Sequence, residues 1–203
     1  SNRTGGNCYH FDEMRSISQI CKAHGLSLHL DGARIFNAIL AKSYSSYQLG
    51  PLFNSISVCL SKGLGCPVGT VLLGDLDFIK KARKIRKAMG GGMRQIGFLA
   101  AAGIYALDHH IERLEEDHRH AKIIAECLAK RPYVMSIKPV ETNIIIFDLI
   151  PEISTEKFIA ELNKNEIHAS AFGKNAIRFV THLDITSQMV DEVCSILENK
   201  MKF

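Results

Sequence analysis

The sequence predicts an α/β protein in which a mainly parallel sheet covered by helices fills roughly the first two-thirds and a smaller α+β unit follows. Short apolar runs alternate with helix-period segments up to Lys130-Arg131-Pro132. Beyond that point three strand-like runs share the chain with two amphipathic helices. The chain has 203 residues, 46% of them hydrophobic and 23% charged, enough for ample cores without disulfide staples. The change of character places the domain boundary near Glu112 to Glu116, dividing 1–114 from 115–203.

The elements follow in order. Asp12 to His24 carries Ile17, Ile20 and Cys21 on one side and stops at Gly25, which predicts a helix. Leu26 to Leu30 reads as a short buried strand closed by Asp31-Gly32, and Ala33 to Leu40 as a helix. Ile56 to Leu60 and Thr70 to Leu73 are strand-like and flank the turn-rich run Ser61 to Gly69. A long helical stretch has Phe78, Ala82, Ile85 and Met89 at helical spacing and breaks at Gly90-Gly91-Gly92. An alanine-rich helix runs from Gln95 towards Leu107, and a charged one continues to Leu128. In the smaller unit, Val134 to Ile137, Asn143 to Phe147 and Ala176 to Val180 are strands, and Thr155 to Lys164 and Thr186 to Lys200 are helices.

Composition excludes several classes. The six cysteines form no Cys-x-x-Cys pair, which reads as reduced thiols in a cytoplasmic or organelle-matrix protein rather than a zinc site. No apolar run approaches the roughly 20 residues that span a bilayer, so no membrane association is expected. Net charge is +4, and the basic run from Lys80 to Arg94 has no interleaved aromatics, so nucleic acid is not expected as a partner. That run also fits the wet side of an amphipathic helix. His109, His110, His118 and His120 lie near Glu115 and Asp117, but the spacing suits solvated helix surface better than a metal site.

Two residues carry the first chemical signal. Asp31 ends a strand of an open α/β sheet, where ligands bind, although it is also a suitable helix N-cap. Lys62 follows a buried strand and precedes Gly63, Gly65 and Gly69. Desolvation there would favour its neutral amine and Schiff-base chemistry, while a solvated turn lysine is the alternative. An acid and a lysine at the ends of successive strands can converge on pyridoxal phosphate, which needs an amine for its aldehyde and an acid for its ring nitrogen. Arg178 interrupts the apolar run Ala176-Ile177-Arg178-Phe179-Val180 and suits bidentate carboxylate binding, or is an edge-strand arginine with a solvated head. His182, close to Arg178 in sequence, is a candidate to support it, and His29 either faces the site or is a satisfied core histidine.

Four segments then carry a resemblance: His29 to Ala38, Ser61 to Thr70, Gly90 to Gln95 and Arg178 to His182. Together they closely resemble the low-specificity threonine aldolases, fold-type I pyridoxal-phosphate enzymes of the aspartate-aminotransferase superfamily, over essentially all 203 residues. The resemblance implies the later part of a cofactor-binding large domain followed by a small C-terminal domain. It implies cleavage of L-threonine or L-allo-threonine to glycine and acetaldehyde by retro-aldol chemistry, with pyridoxal 5'-phosphate as cofactor. Lys62 would hold the cofactor aldehyde and Asp31 would pair with its ring nitrogen. Arg178 would bind the α-carboxylate of a small β-hydroxy amino acid, Arg34 would serve substrate or cofactor, and Arg94 would approach a cofactor phosphate. A homodimer or homotetramer with shared sites is implied as well.

The family places a phosphate-anchoring loop, a ring-stacking residue and a base candidate at or before the position of Ser1. The chain is therefore expected to be the later part of a longer polypeptide. The alternatives are a catalytically incomplete fragment that acts at most in subunit association, or a related fold-type I β-eliminating lyase.

Overall fold

The computed structural model of the chain describes residues 5–201 and 203. It divides into a unit spanning Cys8–Arg113 and a second made of Leu114–Phe203 with the described residues of Ser1–Asn7. The sequence reading assigns residues 5–7 to the first unit. The structure groups them with the second, because Gly5 and Gly6 lie against Thr142, Ile144 and Ile146.

In the first unit, α1 (Phe11–Ala23) precedes β1 (His29–Gly32), and α2 (Ile35–Lys42) follows it. A short α3 (Ser46–Leu49) and a 3-10 turn (Gly50–Leu52) lead to β2 (Ser55–Cys59) and β3 (Thr70–Gly74). The helices α4 (Leu76–Ala88) and α5 (Gly97–His109) complete it. The first strand lies further along the chain than Leu26 to Leu30, since Leu26 is exposed and pairing begins at His29 opposite Ser55.

The sheet runs β1-β2-β3. β1 and β2 are parallel and β2 and β3 antiparallel, so the described part of this sheet is mixed where the sequence suggests mainly parallel pairing. The reason is the connection. Leu60 N donates to Gly69 O at 2.9 Å, which continues the ladder into the loop, and a return with no helix suits an antiparallel neighbour.

This unit leaves much apolar surface uncovered, in contrast to a sheet covered on both faces. No residue of β3 or α4 is buried. The α5 helix is apolar almost all round, the mark of a helix meant for burial, yet only Gly103 and Ala106 are buried and Phe98 is 87% exposed.

The second unit contains α6 (Leu114–Leu128), β4 (Val134–Ile137), β5 (Ile144–Leu149), α7 (Thr155–Lys164), β6 (Ser170–Ala171), β7 (Ala176–Val180) and α8 (Ser187–Asn199). Its sheet is antiparallel in the order β4-β5-β7-β6. Helices start where side chains supply caps: Ser154 Oγ accepts from Lys157 N and Thr186 Oγ1 from Met189 N, each at 3.2 Å. Alternation along β5 and β7 sends Ile145, Phe147, Leu149, Ile177 and Phe179 to the main core under α6, α7 and α8. Ile144, Ile146 and Ala176 form a smaller cluster on the opposite face.

The histidines of α6 are not solvated surface. His118 and His120 are buried at the two edges of the apolar stripe Leu114, Ala121, Ile124 and Leu128, so the inward-facing arc of this helix is wider than its apolar residues mark. His120 Nε2 pairs with Ser187 Oγ at 3.1 Å, joining α6 to the start of α8. Among the described residues, no three His, Cys, Asp or Glu side chains gather as a metal site would require. All six cysteines are free, and burial next to Cys127 pushes the Cys194 thiol up to about 12, leaving it a protonated, weakly nucleophilic group. No described helix is long and apolar enough to cross a membrane.

Burial lowers the His118 pKa from 6.5 to about 4, with the Lys122 ammonium adding to the effect. The unfolded chain therefore binds a proton more readily than the folded one between these two values. Stability should be undiminished by this group above about pH 6.5 and should fall as the pH drops towards 4, by on the order of 2–3 kcal/mol. Denaturant melts at stepped pH should show this fall, and His118→Asn should flatten it. Parallel profiles for both proteins would contradict the assignment.

Candidate active site

Parallel pairing sets the first part of the site. His29, Leu30, Asp31 and Gly32 of β1 pair with Ser55, Ile56, Ser57 and Val58 of β2, so both strands end on the same side of the sheet. Asp31 stands at the end of β1, and the chain emerging from β2 reaches Lys62 just beyond Cys59. This is the sheet end where open α/β folds bind ligands.

Asp31 does not cap a helix. Its Oδ1 accepts from Ala33 N at 3.1 Å, and α2 begins only at Ile35 with Arg34 in the N-cap position. The local bond tightens the turn and aims an exposed carboxylate out of the sheet end. His29 lies on the same face of β1, and its Nδ1 pairs with Ser55 Oγ at 2.8 Å. Arg34 is half-buried at the start of α2.

Lys62 is exposed, so residues of this unit do not supply the desolvation that the sequence reading invokes. Its loop is nonetheless well held. Gly65 N donates to Lys62 O at 2.8 Å and Cys66 N to Leu60 O at 3.1 Å. Leu64 and Cys66 are buried beneath it. His110, just past α5, pairs through Nδ1 with Leu64 O at 2.7 Å, and Cys66 Sγ donates to Ala102 O at 3.6 Å. Two contacts from the α5 region therefore pin the loop that presents Lys62. The sequence carries no local sign of His110's role, because the bond joins residues far apart in the chain. Arg94 is exposed in the α4–α5 connection, beside Gln95 at φ 52°.

Arg178 belongs to the second unit, whereas Asp31, Arg34, Lys62 and Arg94 belong to the first. It is no edge-strand arginine, because β7 lies between β5 and β6. In register it faces Ile146 on one side and Ser170 on the other. Its guanidinium carbon sits 5.5 Å from the centroid of the Phe172 ring, a cation–π contact that restricts the head group. Nothing in the spacing of Phe172 predicts that contact. His182, half-exposed after β7, has its Nδ1 3.5 Å from Asp184 Oδ2 and accepts a long 3.4 Å contact from Asp184 N.

Comparisons extend the picture. A family model of beta-eliminating lyases matches residues 1–151. The low-specificity L-threonine aldolase 1 of Arabidopsis thaliana is 39% identical over 201 residues, 98% of this chain and 56% of that protein. The low specificity L-threonine aldolase of Escherichia coli K12 is 38% identical over 182 residues, 90% of this chain and 53% of that protein. The chain thus spans about half the length of the curated relatives it matches. The solved threonine aldolase of Leishmania major shares the fold, with a TM-score of 0.78 at 23% identity over 95% of this chain and 57% of that one.

Replacing His110 by Phe keeps an aromatic ring but removes the bond to Leu64 O. Amide hydrogen exchange across residues 62–66 should then accelerate about 5-fold, the effect of losing roughly 1 kcal/mol of local anchoring. Exchange in residues 55–59 should stay unchanged. Unaltered exchange in the loop would show that His110 does not hold it.

Proposed function

The chain belongs to the beta-eliminating lyase family, and on that footing we propose that it carries Lys62, Asp31 and Arg178 of a pyridoxal-phosphate-dependent aldehyde-lyase. The reaction is cleavage of L-threonine and L-allo-threonine to glycine and acetaldehyde. One observation carries the reading: parallel β1 and β2 deliver a carboxylate and then an amine to the same end of the sheet. The donor set suits the cofactor, with an exposed amine for its aldehyde beside a glycine-rich loop and an exposed acid for its ring nitrogen.

When bound, pyridoxal phosphate supplies an electron sink that stabilises negative charge at the substrate α-carbon. Lys62 Nζ would be the amine that holds the cofactor through its aldehyde. The Asp31 carboxylate would favour a proton on the ring nitrogen, and its bond to Ala33 N holds the acid in one orientation for that role. Arg178 binds the substrate α-carboxylate through parallel N–H donors, steadied by Phe172. Arg34 offers a second guanidinium to substrate or cofactor, and Arg94 one to a cofactor phosphate of its own or a neighbouring subunit. The protein works in the cytoplasm as a homodimer or homotetramer.

A second reading has its own observation. The uncovered apolar surface of α5 and β3 favours a chain whose capacity is association with further protein of this kind. Adding pyridoxal phosphate and threonine to the chain separates the two. The first reading expects visible cofactor absorbance and acetaldehyde release, both lost in Lys62→Ala. In Asp31→Asn, turnover should fall about 10²–10⁴-fold with the cofactor still bound. Absorbance without acetaldehyde favours the association reading, and absorbance that survives Lys62→Ala overturns the assignment of Lys62.

A further inference from the structure

We propose that the Gly5-Gly6 segment, held by Thr142, is a positioning element for carboxylate binding by Arg178, an inference that rests on the role given to Arg178 above. All the observations lie within one unit. Gly5 and Gly6 are buried and have φ of 91° and 84°. A Cβ on Gly6 would stand 2.6 Å from Thr142 Oγ1 and 3.0 Å from Ile144 Cβ. A Cβ on Gly5 would stand 3.3 Å from Lys138 Cδ and 3.6 Å from Ile146 Cδ1. Both the left-handed backbone and the lack of space at Gly6 demand glycine there. Thr142 is fully buried, and its Oγ1 donates to Gly6 O at 3.0 Å.

The face on which this segment lies is the informative part. Ile144 and Ile146 stand opposite Val180 and Arg178 in register, so their side chains share a face with Arg178, away from the main core. Gly5-Gly6 therefore covers the β5 residues beside Arg178 on one side, while Phe172 meets the guanidinium itself. One peptide bond and a pair of hydrogen bonds also connect the Thr142 contact to the end of the arginine's strand. Thr142 is followed by Asn143, whose Nδ2 donates to Thr181 O at 2.7 Å and whose carbonyl accepts from Thr181 N at 3.0 Å. Thr181 Oγ1 in turn donates to Asp117 O at 2.6 Å. Asn143, Thr181 and Asp117 are all buried, so these bonds form where losing one is expensive.

Tying residues 5–6 to Thr142 keeps this cover over Ile144 and Ile146 in one place. A carboxylate held by Arg178 has to be presented consistently for the proposed reaction, and a loose cover on that face of the sheet would blur the presentation.

The test uses the cofactor-loaded chain and glycine as the ligand, with Thr142→Val, Thr142→Ser, Gly6→Ala and Arg178→Lys variants. Glycine affinity is read from the visible spectrum. Arg178 accessibility is read from modification by an arginine-specific dicarbonyl, located by peptide mass spectrometry with and without glycine. Thr142→Val should weaken glycine binding about 5- to 10-fold and reduce protection of Arg178, and Thr142→Ser should restore both to within about 2-fold. Gly6→Ala should weaken binding more than about 10-fold, and cofactor absorbance should be unchanged in these three variants. If Thr142→Val binds glycine as tightly as the parent while Arg178→Lys does not, the positioning role is wrong and the Arg178 reading survives. If Arg178→Lys also binds normally, or if the parent binds no glycine, the reading beneath the inference fails and the inference falls with it.

Discussion

Gly32 has no room for a side chain, and much of the first unit follows from that. A Cβ there would stand 2.6 Å from the Ser57 carbonyl oxygen and 3.3 Å from Ile35 and Ile56. The close approach lets β1 lie tightly along β2 at its last residue before the chain turns into α2. With the parallel register set, Asp31 opens onto the end of the sheet, and the chain beyond β2 can only emerge beside it. The Lys62 loop then folds back through Leu60 and Gly69 into an antiparallel third strand, while contacts from Ala102 and His110 hold it from behind. The acid and the amine are thus placed by backbone pairing rather than by contact with one another.

The second unit solves a different problem. Its sheet gives one face wholly to a core built from Phe147, Phe158, Phe179 and their aliphatic neighbours, with Phe147 packed edge-on against both other rings. The opposite face is left for Arg178. A charged head on a strand interior to a sheet is costly unless something receives it. Phe172 receives it, with its ring centroid 5.5 Å from the guanidinium carbon, and the proposed function gives that restrained head a substrate carboxylate to bind.

Local signals were legible and long-range ones were not. Ser154 and Thr186 cap helices that the sequence pattern places almost residue for residue, because a cap and the amide it serves are neighbours in the chain. The ordered motifs around Asp31 and Lys62 were legible for the same reason, and they carried the family. The direction of β3 was not, because it depends on how the loop before it closes. The burial of His118 and His120 was hidden by their polarity, since a helix side is read from apolar residues and these two sit at the edges of that stripe. Lys62's exposure could not be read from its neighbours, because strand apolarity reports what the strand packs on and not what lies beyond its end. His110 and Thr142 act across long stretches of sequence, where spacing holds no information, and Phe172 meets Arg178 only because the chain turns back between β6 and β7.

The proposed function requires Lys62 to be the amine that takes the cofactor. Reducing the pyridoxal-phosphate-loaded chain with borohydride and mapping the modified peptides tests this directly. A pyridoxyl group is expected on Lys62, with little on the basic face of α4 despite its exposed lysines. Label spread over the α4 lysines, or concentrated on any residue other than Lys62, would contradict it.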